Sequence, residues 1–165
     1  MEKHIFSPGK VLVLPAIAFL GFLFYVGWQF EPVSVQVHYW LGSGYACSGY
    51  NAEARLQYGV SLQIAREYVK KAGSFRRQRH IRQLCGLSAV GLAEIARRSG
   101  DAVSAERLFR LGAAFDAANA AALDGLGLVA FERKDTRLAR FFFERSLKIR
   151  PGFGPAWDNL KKTGY

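Results

Sequence analysis

The side chains best suited to metal binding or nucleophilic catalysis are few and widely spaced in this sequence. His4, His38 and His80 are too far apart for the ligand spacing of a typical metal site. The serines, Ser146 among them, occur in no nucleophile motif. The glycine-rich stretch from Gly42 to Gly49 lacks the lysine and the preceding strand of a phosphate-binding loop. We therefore predict a protein that is not an enzyme and that uses no metal, cofactor or small-molecule substrate.

Two cysteines, Cys47 and Cys85, are the remaining candidates for covalent chemistry. They lack the CxxC or CxxCH spacing of redox and haem-attachment motifs. In an oxidising compartment they could form one disulfide, which would stabilise the fold by roughly 3 to 4 kcal/mol in the chain-entropy account. The alternative is two separate buried thiols that act as small apolar residues, and the sequence leaves both open.

Positive charge is concentrated in one segment of a chain whose formal net charge is +10. No acidic residue lies between the two ends of this segment, which could bind anionic lipid headgroups or an acidic face of a partner protein, or could simply be solvated. No recognisable nucleic-acid-binding module accompanies it, so nucleic acid is not a predicted partner. The basic patch consists of Lys70, Lys71, Arg76, Arg77, Arg79 and Arg82.

An uncharged run of 20 residues extends from Val11 to Phe30. A helix needs about 20 apolar residues to span a bilayer core, and Tyr25 and Trp28 lie near the far end, where aromatic side chains favour the headgroup layer. A cleavable signal peptide would have a shorter apolar core and small residues at its cleavage site. We therefore predict a transmembrane helix at 11–30 after an N-terminal stub at 1–10.

The charges that flank this run predict its orientation. Lys3 and Lys10 precede it, whereas residues 31–54 contain no lysine or arginine. Because positive flanks tend to stay in the cytoplasm, we expect a cytoplasmic N-terminus and a periplasmic body at the inner membrane of a bacterium.

Residues 31–50 differ in character from the chain that follows. Val33, Val35, Val37 and Tyr39 alternate with polar or aromatic residues, which is the period of a half-buried strand. We predict an extended juxtamembrane linker here, with a strand paired to another subunit as the alternative. Residues 51–85 then show helical spacing and are predicted to form a helical pair, which could be a degenerate repeat.

Two segments in the C-terminal half, 86–119 and 120–153, align with each other at a spacing of 34 residues. Alanines at this spacing allow two helices to approach closely, and phenylalanines fill the space between them. Residues 154–165 begin a third copy and then stop, as a capping helix does. Identities at this spacing include Leu92 with Leu126, Ala96 with Ala130, Asp101 with Asp135, Ala105 with Ala139, and Phe109 with Phe143.

This pattern resembles the tetratricopeptide repeat (TPR) family, whose unit is 34 residues long. The resemblance implies an all-α fold, in which one transmembrane helix is followed by a short TPR-like solenoid of helical hairpins. It also implies a concave groove that is lined by the first helix of each repeat and that binds a segment of another protein. Carried onto this sequence, the groove positions are Leu87, Val90, Glu94, Arg97, Arg98, Asp124, Leu128, Phe131, Glu132, Asp158 and Lys162.

Some relatives grip a terminal carboxylate with a lysine and an asparagine early in the first helix. The corresponding places here hold Val90 and Glu94, so that mode is not expected. Two functions remain open: a permanent interaction subunit that holds an extracytoplasmic partner within a membrane complex, and a transient factor for cytochrome, pilus or secretion assembly. In both cases the predicted partners are other proteins and membrane lipid.

Overall fold

The computed structural model describes residues 31–71 and 75–164, with the side chains of residues 31, 32 and 75–77 excepted. This part of the chain contains helices and no strand, so the all-α prediction is confirmed for it. The helices are α1 (Glu31–Cys47), α2 (Asn51–Lys71), α3 (Phe75–Arg98), α4 (Ala102–Phe115), α5 (Ala120–Glu132), α6 (Thr136–Ile149) and α7 (Gly154–Lys162).

The predicted transmembrane helix at 11–30 and the stub at 1–10 lie outside the described residues. Among the helices that the structure does describe, none combines the length and the apolar character needed to cross a bilayer.

Polar side chains fix the starts of the later helices. Asp101 accepts a hydrogen bond from the backbone N–H of Ser104 at 2.9 Å, and Asp135 accepts one from Leu138 at 3.0 Å. These caps satisfy backbone donors that would otherwise be unpaired in the first turn. The aspartates conserved between the two sequence copies therefore mark the second helix of each hairpin.

Consecutive helices pack in pairs, with α1 against α2, α3 against α4, and α5 against α6. The first helix of each pair also contacts the first helix of the next, and α7 closes the array against α5 and α6. The core is accordingly divided into clusters between neighbouring hairpins rather than gathered in one centre. This arrangement is that of a solenoid, in which each repeat contacts only its neighbours.

The α1–α2 hairpin is an additional repeat, which comes first in the chain and begins at Val35. Ser61 of α2 donates a hydrogen bond from Oγ to the carbonyl oxygen of Val35 at 2.9 Å. Ser146 of α6 donates the same bond to Ala120 at 2.8 Å, across the same sequence separation of 26 residues. Each bond ties the middle of a second helix to the start of the first, so the two hairpins share one internal geometry.

Predictions for residues 31–85 are therefore corrected in two places. The extended linker at 31–50 is wrong, because Val35, Tyr39 and Gly42 follow helical spacing and pack against α2 and α3. Two helices do lie within 51–85, namely α2 and the start of α3, but the predicted boundary at residue 85 is wrong, because α3 continues without a break through Gly86 to its end at Arg98. The first repeat thus consists of α1 and α2, and residues 69–85 are an insertion between it and the second.

The structure also decides between the two interpretations of the cysteines. Both thiols are free: Cys47 is exposed and Cys85 is buried. Cys85 packs beside Val35 near the start of α1, whereas Cys47 ends that helix. With a rise of about 1.5 Å per residue, α1 holds the two sulfurs far beyond disulfide distance. The disulfide alternative is therefore wrong, and the alternative of two buried thiols holds for Cys85 alone, because Cys47 is exposed.

Candidate partner-binding groove

The first helices of the repeats, α3 and α5, lie side by side with α7 and form one face of the solenoid. Most of the predicted groove residues lie on these three helices where they adjoin, and we call this surface the groove face. Its polar side chains form two hydrogen-bonded networks, each of which links one repeat to the next.

The first network joins α3 to α5. Arg97 donates to both carboxylate oxygens of Glu94, at 2.7 Å from Nη2 and 2.9 Å from Nε. It also pairs through Nη1 with Glu132 of the next repeat. Arg98 adds a hydrogen bond from Nε to Glu94 at 2.9 Å. Four predicted groove residues are thus brought together, and two of them bridge consecutive repeats.

The second network joins α5 to α7. Asn159 donates from Nδ2 to the two carboxylate oxygens of Asp124 at 3.1 and 3.2 Å. Lys162 donates from Nζ to Oδ1 of Asn159 at 3.1 Å. Asp124 and Asn159 are both buried, with 6% and 8% of their surfaces exposed. A polar pair at this depth is costly to desolvate unless it is hydrogen-bonded, as it is here.

The two carboxyl groups of these networks have opposite pKa shifts. Burial raises the pKa of Asp124; the Asn159 hydrogen bond opposes this rise, and the negative charge of Glu94 adds to it. Burial alone would also raise the pKa of Glu94, but the hydrogen bonds and charges of Arg97 and Arg98 outweigh it and leave that pKa below its usual value. On the groove face, Glu94 is therefore firmly ionised and paired with arginines, whereas burial disfavours the charged form of Asp124.

Other predicted groove residues take part in helix packing instead. Val90 lies against α4, with its Cγ2 about 3.1 Å from where a Cβ on Gly112 would stand. Leu128 and Phe131 pack against the apolar cluster that contains Phe143 and Leu160, so only part of each side chain is accessible. Leu87 is likewise half-buried. These residues support the groove face more than they line it.

At the margin of the groove face, Asp158 is exposed and forms an ion pair with Lys161 at 3.9 Å. Asn159, its neighbour, was missed by the sequence analysis although it connects two predicted residues. A signal for it existed, because Asn159 lies one repeat period after Gly125, at a position where the segments 86–119 and 120–153 both carry glycine. An amide in place of that small residue marks a polar contact in the capping helix.

Solved structures of other proteins share this arrangement. The first TPR domain of human RPAP3 is 20% identical over 80% of this chain and 91% of that domain, with a TM-score of 0.63. The first TPR of Spaghetti (RPAP3), bound to the HSP90 peptide SRMEEVD, is 20% identical over 79% of this chain and 90% of that one, with a TM-score of 0.61. The Sgt2 TPR domain from Aspergillus fumigatus is 18% identical over 78% of this chain and 76% of that one, with a TM-score of 0.61.

This chain has the TPR-repeat fold. Its likeness to the solved TPR domains is one of structure, since no protein-family model and no curated protein sequence matches the chain. Because α1 and α2 form the first repeat, α1 also has residues at the groove positions. One and a half repeat periods before Val90 and Glu94, the first repeat holds Tyr39 and Ser43. Neither is the lysine or asparagine of the carboxylate-gripping TPR domains.

The basic patch lies away from the TPR groove, at the end where α1 begins. Lys70 pairs with Glu67 at 2.7 Å, and Lys71 and Arg79 are exposed. Arg82 donates from Nε to the backbone carbonyl of Phe115 at 3.3 Å, which satisfies a carbonyl at the end of α4. Arg76 and Arg77 lie where side chains are not described.

No metal-binding arrangement is found among residues 31–71 and 75–164, where no three His, Cys, Asp or Glu side chains come close enough to hold an ion. The contacts that the described TPR repeats offer are hydrogen bonds, ion pairs and apolar packing.

Proposed function

We propose that this protein is a membrane-anchored TPR subunit, which holds a protein partner in its groove within a multi-subunit membrane complex. The observation that carries the proposal is the pair of polar networks on the groove face, Glu94–Arg97–Glu132 and Asp124–Asn159–Lys162. Each network crosses from one repeat to the next, so a segment lying across the first helices would meet acidic and basic groups in turn. The solved TPR domain that holds a peptide supports the same use of the fold.

The buried carboxyl group of Asp124 supports a binding role. An aspartate inside a helix interface is unfavourable compared with an apolar residue of similar size. Asp124 stands in α5 among Leu123, Gly125 and Leu126, which are all buried. We infer that the acidic group is kept because it holds Asn159, and through it Lys162, in place at the groove face.

The anchor is proposed from the uncharged run at 11–30, which has the length of a bilayer span. The placement of charge in the fold supports it. Val35, near the start of α1, packs with Leu62 and Ala65 of α2 and with Ile81 of α3. The basic residues around positions 66–82 therefore gather at the end of the solenoid that adjoins the run, where anionic headgroups would neutralise them.

The location that we propose is the inner membrane of a bacterium, with the N-terminus in the cytoplasm and the groove in the periplasm. It follows from the positions of Lys3 and Lys10. Cys47 provides a test because it is exposed while Cys85 is buried. A membrane-impermeant maleimide should label Cys47 in intact spheroplasts. Labelling that requires lysis would place the groove on the cytoplasmic side instead.

The partner itself is tested by purification of the tagged chain from membranes in a mild detergent, followed by mass spectrometry. We expect one or more proteins to co-purify in constant stoichiometry with the wild type. Glu132→Lys combined with Arg98→Glu should lose them, because both reverse charges at the groove face while the fold is kept. Arg137→Glu reverses an exposed charge on α6 and serves as the matched control.

Equal retention by the groove variant and by the control would contradict the proposal. A partner that is bound only during biogenesis and is missing from the mature complex would instead indicate the assembly factor.

A further inference from the structure

In the second and third repeats, one face of the first helix is buried by the repeat that precedes it. In α5, Gly125 lies under the ring of Phe109 from α4. In α3, the equivalent Gly91 lies under the ring of Tyr58 from α2, and Ile95 joins the same cluster. These residues form the surface through which one TPR repeat stacks on another, and they are small or apolar for that reason.

In α1 the equivalent face has no repeat to cover it. The residues that correspond to Ser88, Gly91 and Ile95 of α3 are Val37, Trp40 and Gly44. The side chains of Val37 and Trp40 are 47% and 61% exposed. We call this surface, with the neighbouring Val33, Leu41, Tyr45 and Tyr50, the open end face. Its central part forms a shallow apolar hollow of about 530 Å³.

The open end face is unlike an ordinary solvated helix surface. No Asp, Glu, Lys or Arg occurs between Val33 and Tyr50, although the remainder of the described chain is rich in charge. Exposed surface on soluble proteins normally carries charged residues, and a contiguous apolar patch marks a contact site. Two of the exposed residues are tyrosines and one is a tryptophan, the side chains that are enriched at membrane–water interfaces.

The chain that precedes α1 indicates what this face contacts. The uncharged run ends at Phe30, directly before the first residue of α1 at Glu31. Consecutive Cα atoms are about 3.8 Å apart, so a run that spans the bilayer would release α1 at the lipid surface. The exposed apolar side chains then begin only three residues beyond the span, at Val33. An apolar helix face at that depth lies among headgroups and upper acyl chains.

We propose that the open end face is a lipid-binding surface, which seats the first TPR repeat on the bilayer. This inference rests on the proposed membrane anchor and adds to it a defined orientation. With α1 against the lipid, the repeats are stacked outward from the membrane, and α7 is the helix farthest from it. Lys70, Lys71 and Arg79, at the end where α1 begins, favour anionic headgroups at the edge of this contact.

The three tryptophans of the chain allow a direct test, because each reports on one part of the arrangement. Trp28 lies in the predicted span, Trp40 in the open end face, and Trp157 in α7. Full-length variants with a single tryptophan, the other two changed to phenylalanine, would be reconstituted in phosphatidylcholine–phosphatidylglycerol vesicles with brominated acyl chains. We expect Trp28 and Trp40 to be strongly quenched and Trp157 to be quenched little.

The possible results separate this inference from the anchor. Quenching of Trp28 without Trp40 would keep the anchor and overturn the lipid-binding face, as would a Trp40 that is shielded by a second copy or by another protein. Absence of quenching at both positions would overturn the anchor and the face together. Quenching of Trp157 as strong as that of Trp40 would overturn the proposed orientation.

A second variant guards against a change in the fold. Val37→Glu places a charge on the exposed centre of the open end face and should reduce Trp40 quenching to the level of Trp157. Val103→Glu makes the same change on α4, where Val103 is 73% exposed, and should leave Trp40 quenching unchanged. Both variants should retain the helical circular dichroism of the parent. Unaltered Trp40 quenching in the Val37 variant would contradict the lipid contact.

Discussion

The ring of Tyr58 lies so close to the backbone of Gly91 that a Cβ on residue 91 would stand 2.6 Å from its Cε2 and Cζ atoms. On its other side the same ring meets Gly42 of α1, where a Cβ would stand 2.8 Å from Cδ1. The tyrosine is therefore held between two glycines, and it joins the first repeat to the second. Its hydroxyl group is largely withdrawn from water, and burial raises the pKa of Tyr58.

We expect Gly91→Ala to destabilise the protein by about 1–3 kcal/mol, because the ring of Tyr58 has no free space into which it could move. Gly59→Ala is the matched control within a helix, since a Cβ there would meet no atom within 4 Å. That substitution should stabilise by about 0.5–1 kcal/mol through reduced backbone entropy of the unfolded chain. Urea unfolding followed by circular dichroism measures both, and a Gly91 variant as stable as the Gly59 variant would contradict the packing.

The hairpins at 86–119 and 120–153 could be recognised from the sequence because their residues repeat at a constant interval. The first repeat carries the same markers, with Ala54, Tyr58 and Ser61 matching Ala139, Phe143 and Ser146 in their internal spacing. It was missed because the insertion at 69–85 displaces it from the 34-residue period. A search for the internal spacing alone would have found it.

The helix α1 was predicted as extended for a different reason. Its valines alternate, which is the pattern of a strand, but only Val35 is buried, while Val33 and Val37 are exposed. The alternation appears because the open end face is also apolar, so that apolar residues occur on two sides of the helix. Patterns of hydrophobicity cannot separate burial inside a domain from burial against an outside surface.

The groove face was predictable in part, since the repeat register located Glu94, Arg97 and Glu132 on first helices. The register could not show that Val90 lies against α4, where it packs closely on Gly112. It also could not show the pairing of Asp124 with Asn159, which requires α7 to pack against α5. Contacts across helices follow from tertiary packing, and a period in sequence does not contain them.

Asp124 should give the protein a measurable dependence of stability on pH. Burial raises the pKa of Asp124 in the folded state. The stability that the protonated carboxyl group contributes is therefore fully present below the ordinary aspartate pKa of about 3.9. That contribution is lost as the pH rises through the raised value. Asp124→Asn keeps an acceptor for Asn159 and removes the ionisation. Its stability relative to the wild type should therefore increase between pH 4 and pH 7.

Urea unfolding at a series of pH values measures this difference in free energy. Asp158→Asn removes one negative charge at an exposed site of α7 and is the control for net charge. A constant difference between the Asp124 variant and the wild type would show that Asp124 is not desolvated in the folded protein.

The two cysteines should react very differently with an alkylating reagent. Cys47 is exposed at the end of α1, whereas Cys85 is buried and burial raises its pKa to about 12. At pH 8 iodoacetamide should therefore modify one thiol in the folded protein and both in urea, as counted by mass spectrometry. Two thiols that stay unreactive in urea until a reductant is added would reveal a disulfide and contradict the structure.

We propose that the groove face of the TPR repeats binds another protein, and photo-crosslinking in native membranes tests this binding. A photoreactive benzoylphenylalanine would be placed at Arg98 on the groove face or at Arg137 on α6. Residue 98 should yield one discrete adduct with a protein that mass spectrometry can identify, and residue 137 should yield none. No adduct at residue 98, or the same adducts at both positions, would contradict the claim.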